Sequence, residues 1–252
     1  MKDILYIIIP AYNEQENIKN VIEEWYPVIE KHNGSGQSRL VIIDDGSKDR
    51  TYELISEAAQ GKQLILPVRK ENEGHGATVL YGYHLAIKQK ADYIFQTDSD
   101  GQTLPSEFEE FWKIRGQYDL VIGNRKHRQD GLSRKLVTKV LKAVIFFCFR
   151  ADVADANTPF RLMNAVTLRQ HIDLVPQGFH LSNVIISVIY VKEKLRVKYL
   201  PITFRARQGG ENSINIYKIF KIGKQALTDF RKINNMIEKD MKEHDSENHR
   251  TM

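Results

Sequence analysis

Two carboxylates, Asp98 and Asp100, stand two positions apart in Asp98-Ser99-Asp100-Gly101-Gln102, directly after the β-rich run Tyr93-Ile94-Phe95-Gln96. In extended chain, residues i and i+2 point to the same side, so both carboxylates reach one divalent cation and Gln102 adds a neutral oxygen at the same spacing. Hard oxygen donors from so few side chains suit Mg2+ or Mn2+ shared with a substrate phosphate. An Asp-X-Asp is also a common turn that caps its own backbone; what favours the metal reading is its company. Three other β-rich runs end in polar clusters: Pro10-Ala11-Tyr12-Asn13-Glu14, Asp44-Asp45-Gly46-Ser47 and Gly123-Asn124-Arg125. Tyr12 offers a face for base stacking and Glu14 a carboxylate for a ribose, against the plainer reading that Tyr12 packs on a sheet edge. Asp44 or Asp45 can cap the helix that follows. Ser47 and Asp49 can do the same, which leaves one aspartate of the pair to accept from a base or ribose.

The elements that must position these residues follow a simple rhythm. Leu5–Ile9, Arg39–Ile43, Gln63–Val68, Asp92–Thr97 and Asp119–Ile122 are short apolar runs of the kind buried on both faces of a sheet. Between the first four lie Gln15–Lys31, Lys48–Gln60 and Gly76–Lys90, with apolar residues at helical spacing. Alternation of this kind predicts an α/β fold with a doubly wound, mostly parallel sheet. Ligands of such sheets bind beyond the carboxyl ends of the strands, where the polar clusters lie. From about residue 132 the rhythm changes to longer helices, Leu132–Arg150 and Gly178–Lys192, one strand at Arg196–Phe204, and a long helix from Ile216 to Lys239. The expected organisation is one domain over 1–215, an amphipathic C-terminal helix over 216–240 and a polar, disordered tail over 241–252.

Composition narrows the classes. The 252 residues are 42% hydrophobic and 27% charged, a globular balance that excludes fibrous and disordered chains. The single cysteine, Cys148, excludes an internal disulfide framework and a zinc site built of cysteines, and points to a reduced, cytoplasmic setting. The first apolar run meets Pro10 and Asn13 too soon for a signal peptide, and the longest apolar stretches fall short of the roughly 20 residues that span a bilayer. Thirty-seven Lys and Arg against 32 Asp and Glu favour anionic partners. The basic residues lack the aromatic interleaving of single-strand binders, so nucleic acid is not among the expected ones. His75 and His180, without a partner at metal-ligand spacing, read as structural. The glycines of Asn72-Glu73-Gly74-His75-Gly76 fit either a close backbone approach to a ligand or a plain loop.

Ile8-Ile9-Pro10-Ala11-Tyr12-Asn13-Glu14, Ile43-Asp44-Asp45-Gly46-Ser47-Lys48-Asp49, Asn72-Glu73-Gly74-His75-Gly76-Ala77 and Asp98-Ser99-Asp100-Gly101-Gln102, in that order, resemble the motifs of inverting family 2 glycosyltransferases, most closely the branch that makes polyprenyl-phosphate sugars. The resemblance covers about residues 1–215 and implies the nucleotide-sugar transferase fold called GT-A. It implies that Pro10, Ala11, Tyr12, Glu14, Ile43, Asp44, Asp45 and Ser99 hold the nucleoside of a UDP- or GDP-sugar. Asp98, Asp100 and Gln102 engage Mg2+ or Mn2+ and the diphosphate. Arg125 matches the branch's arginine after the fifth strand, Asp155 an aspartate in a segment that ends in Phe160-Arg161, and Arg207 an arginine near the donor phosphates. One departure stands out: a lysine six positions after that arginine is replaced by Ser213, with Arg205, Lys218 and Lys221 as the nearest substitutes.

The acceptor is read from two segments, Leu132–Phe147 and Ile214–Lys224, which set basic residues beside a broad apolar side as an interfacial helix does. The same pattern also describes a core helix with a basic rim. As the resemblance implies, a polyprenyl phosphate is the expected acceptor, with Arg134 and Arg161 gripping its phosphate at an anionic membrane surface. A phosphate monoester carries about −1.5 to −2 charge at neutral pH and needs no strong base. The sibling reading is a hydroxyl acceptor with Asp155 as the base; a nucleotide-sugar-binding module without turnover is the third. The expected place is the cytoplasmic side of a membrane, with room for a separate anchoring protein.

Overall fold

The computed structural model describes residues 3–125, 132–206 and 228–243, the stretch 132–139 by its backbone alone. Seven strands form one sheet in the order β3-β2-β1-β4-β6-β5-β7: β1 (Leu5–Ala11), β2 (Arg39–Asp45), β3 (Ile65–Lys70), β4 (Tyr93–Thr97), β5 (Leu120–Asn124), β6 (Phe160–Asn164) and β7 (Val197–Pro201). All run parallel except β6, which lies antiparallel between β4 and β5. The mostly parallel α/β sheet expected from the alternation is therefore present.

The period-two alternation of each strand divides the core into two layers. Leu5, Ile7, Ile9, Leu40, Ile42 and Phe95 face one side, where α1 (Ile18–Lys31), α2 (Thr51–Gly61) and α4 (Phe108–Lys113) bury Trp25, Ile55 and Phe108. Tyr6, Ile8, Val41, Ile43, Ile94 and Ile122 face the other. There α3 (His75–Lys88), α5 (Leu132–Phe149), α6 (Ala165–His171) and α7 (Ser182–Lys192) supply Tyr83, Phe149, Leu168 and Ile185. Gly82 lets α3 lie directly on the sheet, because a Cβ there would meet Ile8 Cγ2 at 2.4 Å.

Residues 228–243 form a further helix, α8. Phe230, Ile233 and Ile237 are buried in the same layer, and the Phe230 ring lies 5.1 Å from that of Phe149. Lys192 of α7 donates to Asn234 Oδ1 at 2.6 Å and pairs with Glu238. This helix is thus built into the main core, and it runs to residue 243, into the stretch expected to be a disordered tail. The remainder of both expected C-terminal segments, 216–227 and 244–252, lies outside the described residues.

Three strand assignments are corrected. β1 and β2 run two residues further than their apolar runs, so Ala11 pairs with Asp44, and Asp44 and Asp45 pair with Arg69 and Lys70 within the ladder. β6 has no counterpart in the sequence reading, since five residues that include Arg161 and Asn164 carry no apolar run. With β6 antiparallel, the carboxyl ends of β1–β5 and β7 and the chain entering β6 all meet at one edge of the sheet.

Candidate active site

At that edge, β1 and β2 are laced together by side chains that the turn sequences supply. Asn13, held at φ 54°, donates its N–H to Ser47 Oγ at 2.9 Å, and its side-chain oxygen accepts from Lys48 N at 2.9 Å. Glu14 N donates to Thr51 Oγ1 and Gln15 N to Asp49 Oδ2. The result is a rigid saddle on which Tyr12 stays exposed at 42%. Pro10 and Ala11 are buried in the strand end, and Glu14 is buried with Oε2 accepting from Asn17 Nδ2 at 2.7 Å. Ile43, expected to contact the nucleoside, sits in the ladder between Pro10 and Val68, and its side chain is a core group packed under α3 at Gly82.

The two neighbouring aspartates part company because alternation sends them to opposite layers. Asp44 is fully buried; its Oδ1 accepts from Ser47 N, while its Oδ2 has no hydrogen bond and faces Arg69 Nε at 3.3 Å. Asp45 is consumed by the loop after β3. Its carboxylate accepts from Lys70 Nζ at 2.7 Å, Glu73 N at 3.0 Å and Gly74 N at 2.9 Å, and its carbonyl accepts from Asn72 Nδ2. Burial pushes the Asp45 carboxyl up, but these donors outweigh it and hold the group below its ordinary value. The same pair raises Lys70 despite its own burial.

Asp98 leaves the end of β4 on the side of α3. Its Oδ1 accepts from Gln96 Nε2 at 3.1 Å and lies 2.9 Å from His75 Nε2. Gln96 is fixed in turn, its Oε1 accepting from Tyr83 Oη and Asn183 Nδ2 at 3.1 and 2.9 Å. His75, read as structural from the sequence, thus stands in the site at the first turn of α3. Burial lowers its imidazole pKa, but the Asp98, Asp100 and Asp45 carboxylates outweigh that and the net shift is upward. Gly76, one residue on, makes its close approach to the protein itself and not to a ligand, because a Cβ there would meet the Phe179 carbonyl oxygen at 2.3 Å. Asp100 Oδ1 accepts from Gln102 N at 3.1 Å, and Ser99 is buried between the two carboxylates. Among the described residues no three His, Cys, Asp or Glu side chains converge as a metal cluster.

Arg125 and Asp155 meet in a two-bond fork, Nε to Oδ2 and Nη2 to Oδ1 both at 2.8 Å and both side chains nearly buried. The Arg125 guanidinium also lies over Phe204, 5.0 Å from the ring centre. Arg161 is corrected from an acceptor-phosphate ligand to a structural residue. On β6 its side chain points beneath α7, fully buried, donating to the carbonyls of Ala156, Thr158 and Asn183 at 3.0–3.1 Å. Arg205 likewise does not stand in for the missing lysine, since its guanidinium is taken by Glu24 and by the carbonyls of Gly101 and Thr103. Arg207, Ser213, Lys218 and Lys221, and the side chain of Arg134, lie outside the described residues.

Sequence reasoning missed Gln96, His75 and Lys70. Gln96 carried a signal, a polar residue in an apolar strand at i−2 from Asp98 and therefore on its side.

A family model for glycosyl transferase family 2 matches residues 6–174. The chain belongs to that family. Its fold is similar to that of a solved structure, glucosyl-3-phosphoglycerate synthase from Mycobacterium tuberculosis bound to Mn2+, UDP-glucose and phosphoglyceric acid. That match has a TM-score of 0.68 at 15% identity and covers 92% of this chain and 80% of the other. By sequence the chain is 26% identical over 225 residues to the undecaprenyl-phosphate 4-deoxy-4-formamido-L-arabinose transferase of Pectobacterium atrosepticum, covering 88% of this chain and 66% of that one. The chain therefore spans just under two thirds of the length of that relative. It is also 26% identical over 241 residues to the UDP-N-acetylglucosamine–dolichyl-phosphate N-acetylglucosaminyltransferase of Methanococcus voltae, covering 86% and 93%.

Proposed function

We propose that this family 2 glycosyltransferase moves a sugar, with inversion, from a nucleotide-diphosphate sugar to a polyprenyl phosphate. The observation that carries the donor half is the pair Asp98 and Asp100 at the carboxyl end of β4, beside the Tyr12 saddle and Asp44. The donor set fits Mg2+ or Mn2+: two hard carboxylates, with Gln102 Oε1 as the free end of an amide whose Nε2 is bound to the Arg205 carbonyl at 2.8 Å. Such a cation would neutralise the diphosphate as it leaves. Asp98, Asp100 and Gln102 hold it in this reading; Tyr12 stacks on the base, and Asp44, whose buried Oδ2 faces Arg69 alone, serves the nucleoside in preference to Asp45, which the loop after β3 consumes.

Support for a lipid phosphate acceptor comes from the two relatives named for undecaprenyl- and dolichyl-phosphate transfer. The exposed outer face of α5 adds to it, with Val140, Phe146 and Phe147 beside Lys142. No helix among the described residues is long and apolar enough to cross a membrane. An α5 lying in the interface would bring the site to the cytoplasmic face of the bilayer. The hydroxyl-acceptor reading asks Asp155 to take a proton, and both its oxygens already accept from Arg125.

The test is transfer from labelled UDP- and GDP-sugars to undecaprenyl phosphate with Mn2+ or Mg2+. A lipid-linked sugar formed only with cation is the expected product; preferred transfer to a water-soluble sugar would overturn the lipid reading.

A further inference from the structure

The turn that follows Asp98 is held from outside by a residue over a hundred positions away. Arg205 donates Nε to the Gly101 carbonyl at 3.1 Å and Nη2 to the Thr103 carbonyl at 3.2 Å, and the same Nη2 pairs with Glu24 Oε2 of α1 at 2.9 Å. Its backbone completes the clamp, N–H donating to the Gln102 carbonyl at 2.8 Å and carbonyl accepting from Gln102 Nε2 at 2.8 Å. A carbonyl accepts only from the nitrogen end of an amide, so this last bond decides which way Gln102 is flipped and leaves Oε1 as the end without a partner among the described residues. The chain around Arg205 is itself anchored, with Ile202 N donating to the Asn124 carbonyl and Thr203 N to Glu107. A guanidinium is suited to this task because its donors diverge in a fixed plane, which a lysine ammonium cannot copy.

We infer that Arg205 is a positioning residue of the donor site, fixing the Asp100–Thr103 turn and the flip of Gln102 so that the cation's oxygen donors are arranged before the nucleotide arrives. Preorganised ligands bind more tightly because the ordering cost is met in folding. This inference rests on the metal-dependent reading above. It predicts a loss concentrated in cation and donor affinity, whereas a residue that only stabilises the fold would lower the melting temperature and the active fraction with those affinities intact.

The experiment measures Mn2+ binding by electron paramagnetic resonance in the presence of UDP, and in parallel of GDP, for wild type, Arg205→Gln, Arg205→Lys and Glu24→Gln, with melting curves for each. The expected result is a Mn2+ dissociation constant raised tenfold or more in Arg205→Gln, partly recovered in Arg205→Lys, and raised about two- to threefold in Glu24→Gln, which leaves the two carbonyl contacts in place. If Arg205→Gln does not fold, the lysine and Glu24 variants decide by the same shift. Unchanged Mn2+ affinity in the folded variants overturns the role of Arg205. Absence of Mn2+ binding by the wild type with either nucleotide overturns the underlying reading instead.

Discussion

Asp45 and Lys70 close the neighbouring ends of β2 and β3 with a nearly buried ion pair, Nζ to Oδ1 2.7 Å. Asp45 also accepts from Glu73 N and Gly74 N, so it ties the loop that leads into α3 to the sheet. Asp45→Ala leaves the part-buried N–H groups of Glu73 and Gly74 and a nearly buried ammonium without their carboxylate, a loss of ~2–3 kcal/mol. For a chain of this size that corresponds to a melting temperature lower by roughly 4–12 °C. Asp44→Asn is expected to do the reverse in kind, sparing the fold and weakening nucleotide binding. Calorimetric titration of UDP and GDP separates the two; equal nucleotide affinity in Asp44→Asn and wild type removes Asp44 from the site.

The same pair sets an acid limit. The Asp45 carboxyl is held below its unfolded value of 3.8, so its contribution is fully present above that pH and is lost as pH falls through the lowered folded value. Melting curves of wild type and Asp45→Asn are expected to differ by a constant gap from pH 7 to about 5 and to converge below about pH 4. A gap that persists undiminished to pH 3 contradicts the assignment.

Much of this was legible in the residues. The strand ends carrying Asp44, Asp45, Asp98 and Asp100 announce themselves because parallel strands buried on both faces are continuous apolar runs, and a polar residue at their end has little else to do. What could not be read was direction. Asp44 and Asp45 differ only by which layer each faces, and that depends on where β2 stops. The apolar run ended at Ile43, but the ladder continued to Asp45 because β1 and β3 offer backbone partners on both sides. Arg161 was misread for a related cause: β6 is only five residues long, and Arg161 interrupts its buried apolar residues Phe160, Leu162 and Met163, so no continuous run marks the strand that β4 and β5 pair with.

Arg161 therefore yields a prediction opposite to that for a substrate ligand. Its guanidinium satisfies the carbonyls of Ala156, Thr158 and Asn183 in the interior, and burial lowers its pKa as far as its surroundings allow. Arg161→Met is expected to cost ~3–5 kcal/mol by leaving those carbonyls bare. Urea unfolding reads this directly. A phosphate-binding arginine would instead leave stability unchanged and raise the acceptor KM.

Asp98 and Asp100 carry the chemistry in the proposed reaction, and their removal is expected to spare the fold. Asp100→Ala should lower kcat/KM by about 10²–10³ or more, the scale for losing one preorganised charge partner of a transition state. Asp98→Ala should be comparable, with an added loosening of Gln96, which loses its acceptor. Turnover of wild type undiminished in excess chelator would end the metal account altogether.

The last prediction concerns α5. Phe147 is 72% exposed and Phe146 47%, side by side, with Val140 and Lys142 on the same outward surface. Full burial of an exposed phenylalanine is worth ~1.5–3 kcal/mol, so the part of each ring still in water has up to about that much to gain, and an acyl boundary offers that burial. Each basic residue near an anionic surface adds ~1 kcal/mol, a contribution that salt screens. Phe146→Ser with Phe147→Ser is expected to weaken sedimentation with vesicles of phosphatidylcholine and phosphatidylglycerol by at least tenfold at fixed salt. The melting temperature should change less than the binding, because Phe147 is mostly exposed and Phe146 only half-buried. Glu at Lys135, Lys139 and Lys142 is expected to remove the salt-sensitive part and leave the apolar part. Transfer to a short, water-soluble prenyl phosphate should survive both sets of changes, since the proposed site at the sheet edge is untouched. Equal sedimentation of all variants would place the acceptor's approach elsewhere on the molecule and leave the aromatic pair without a membrane role.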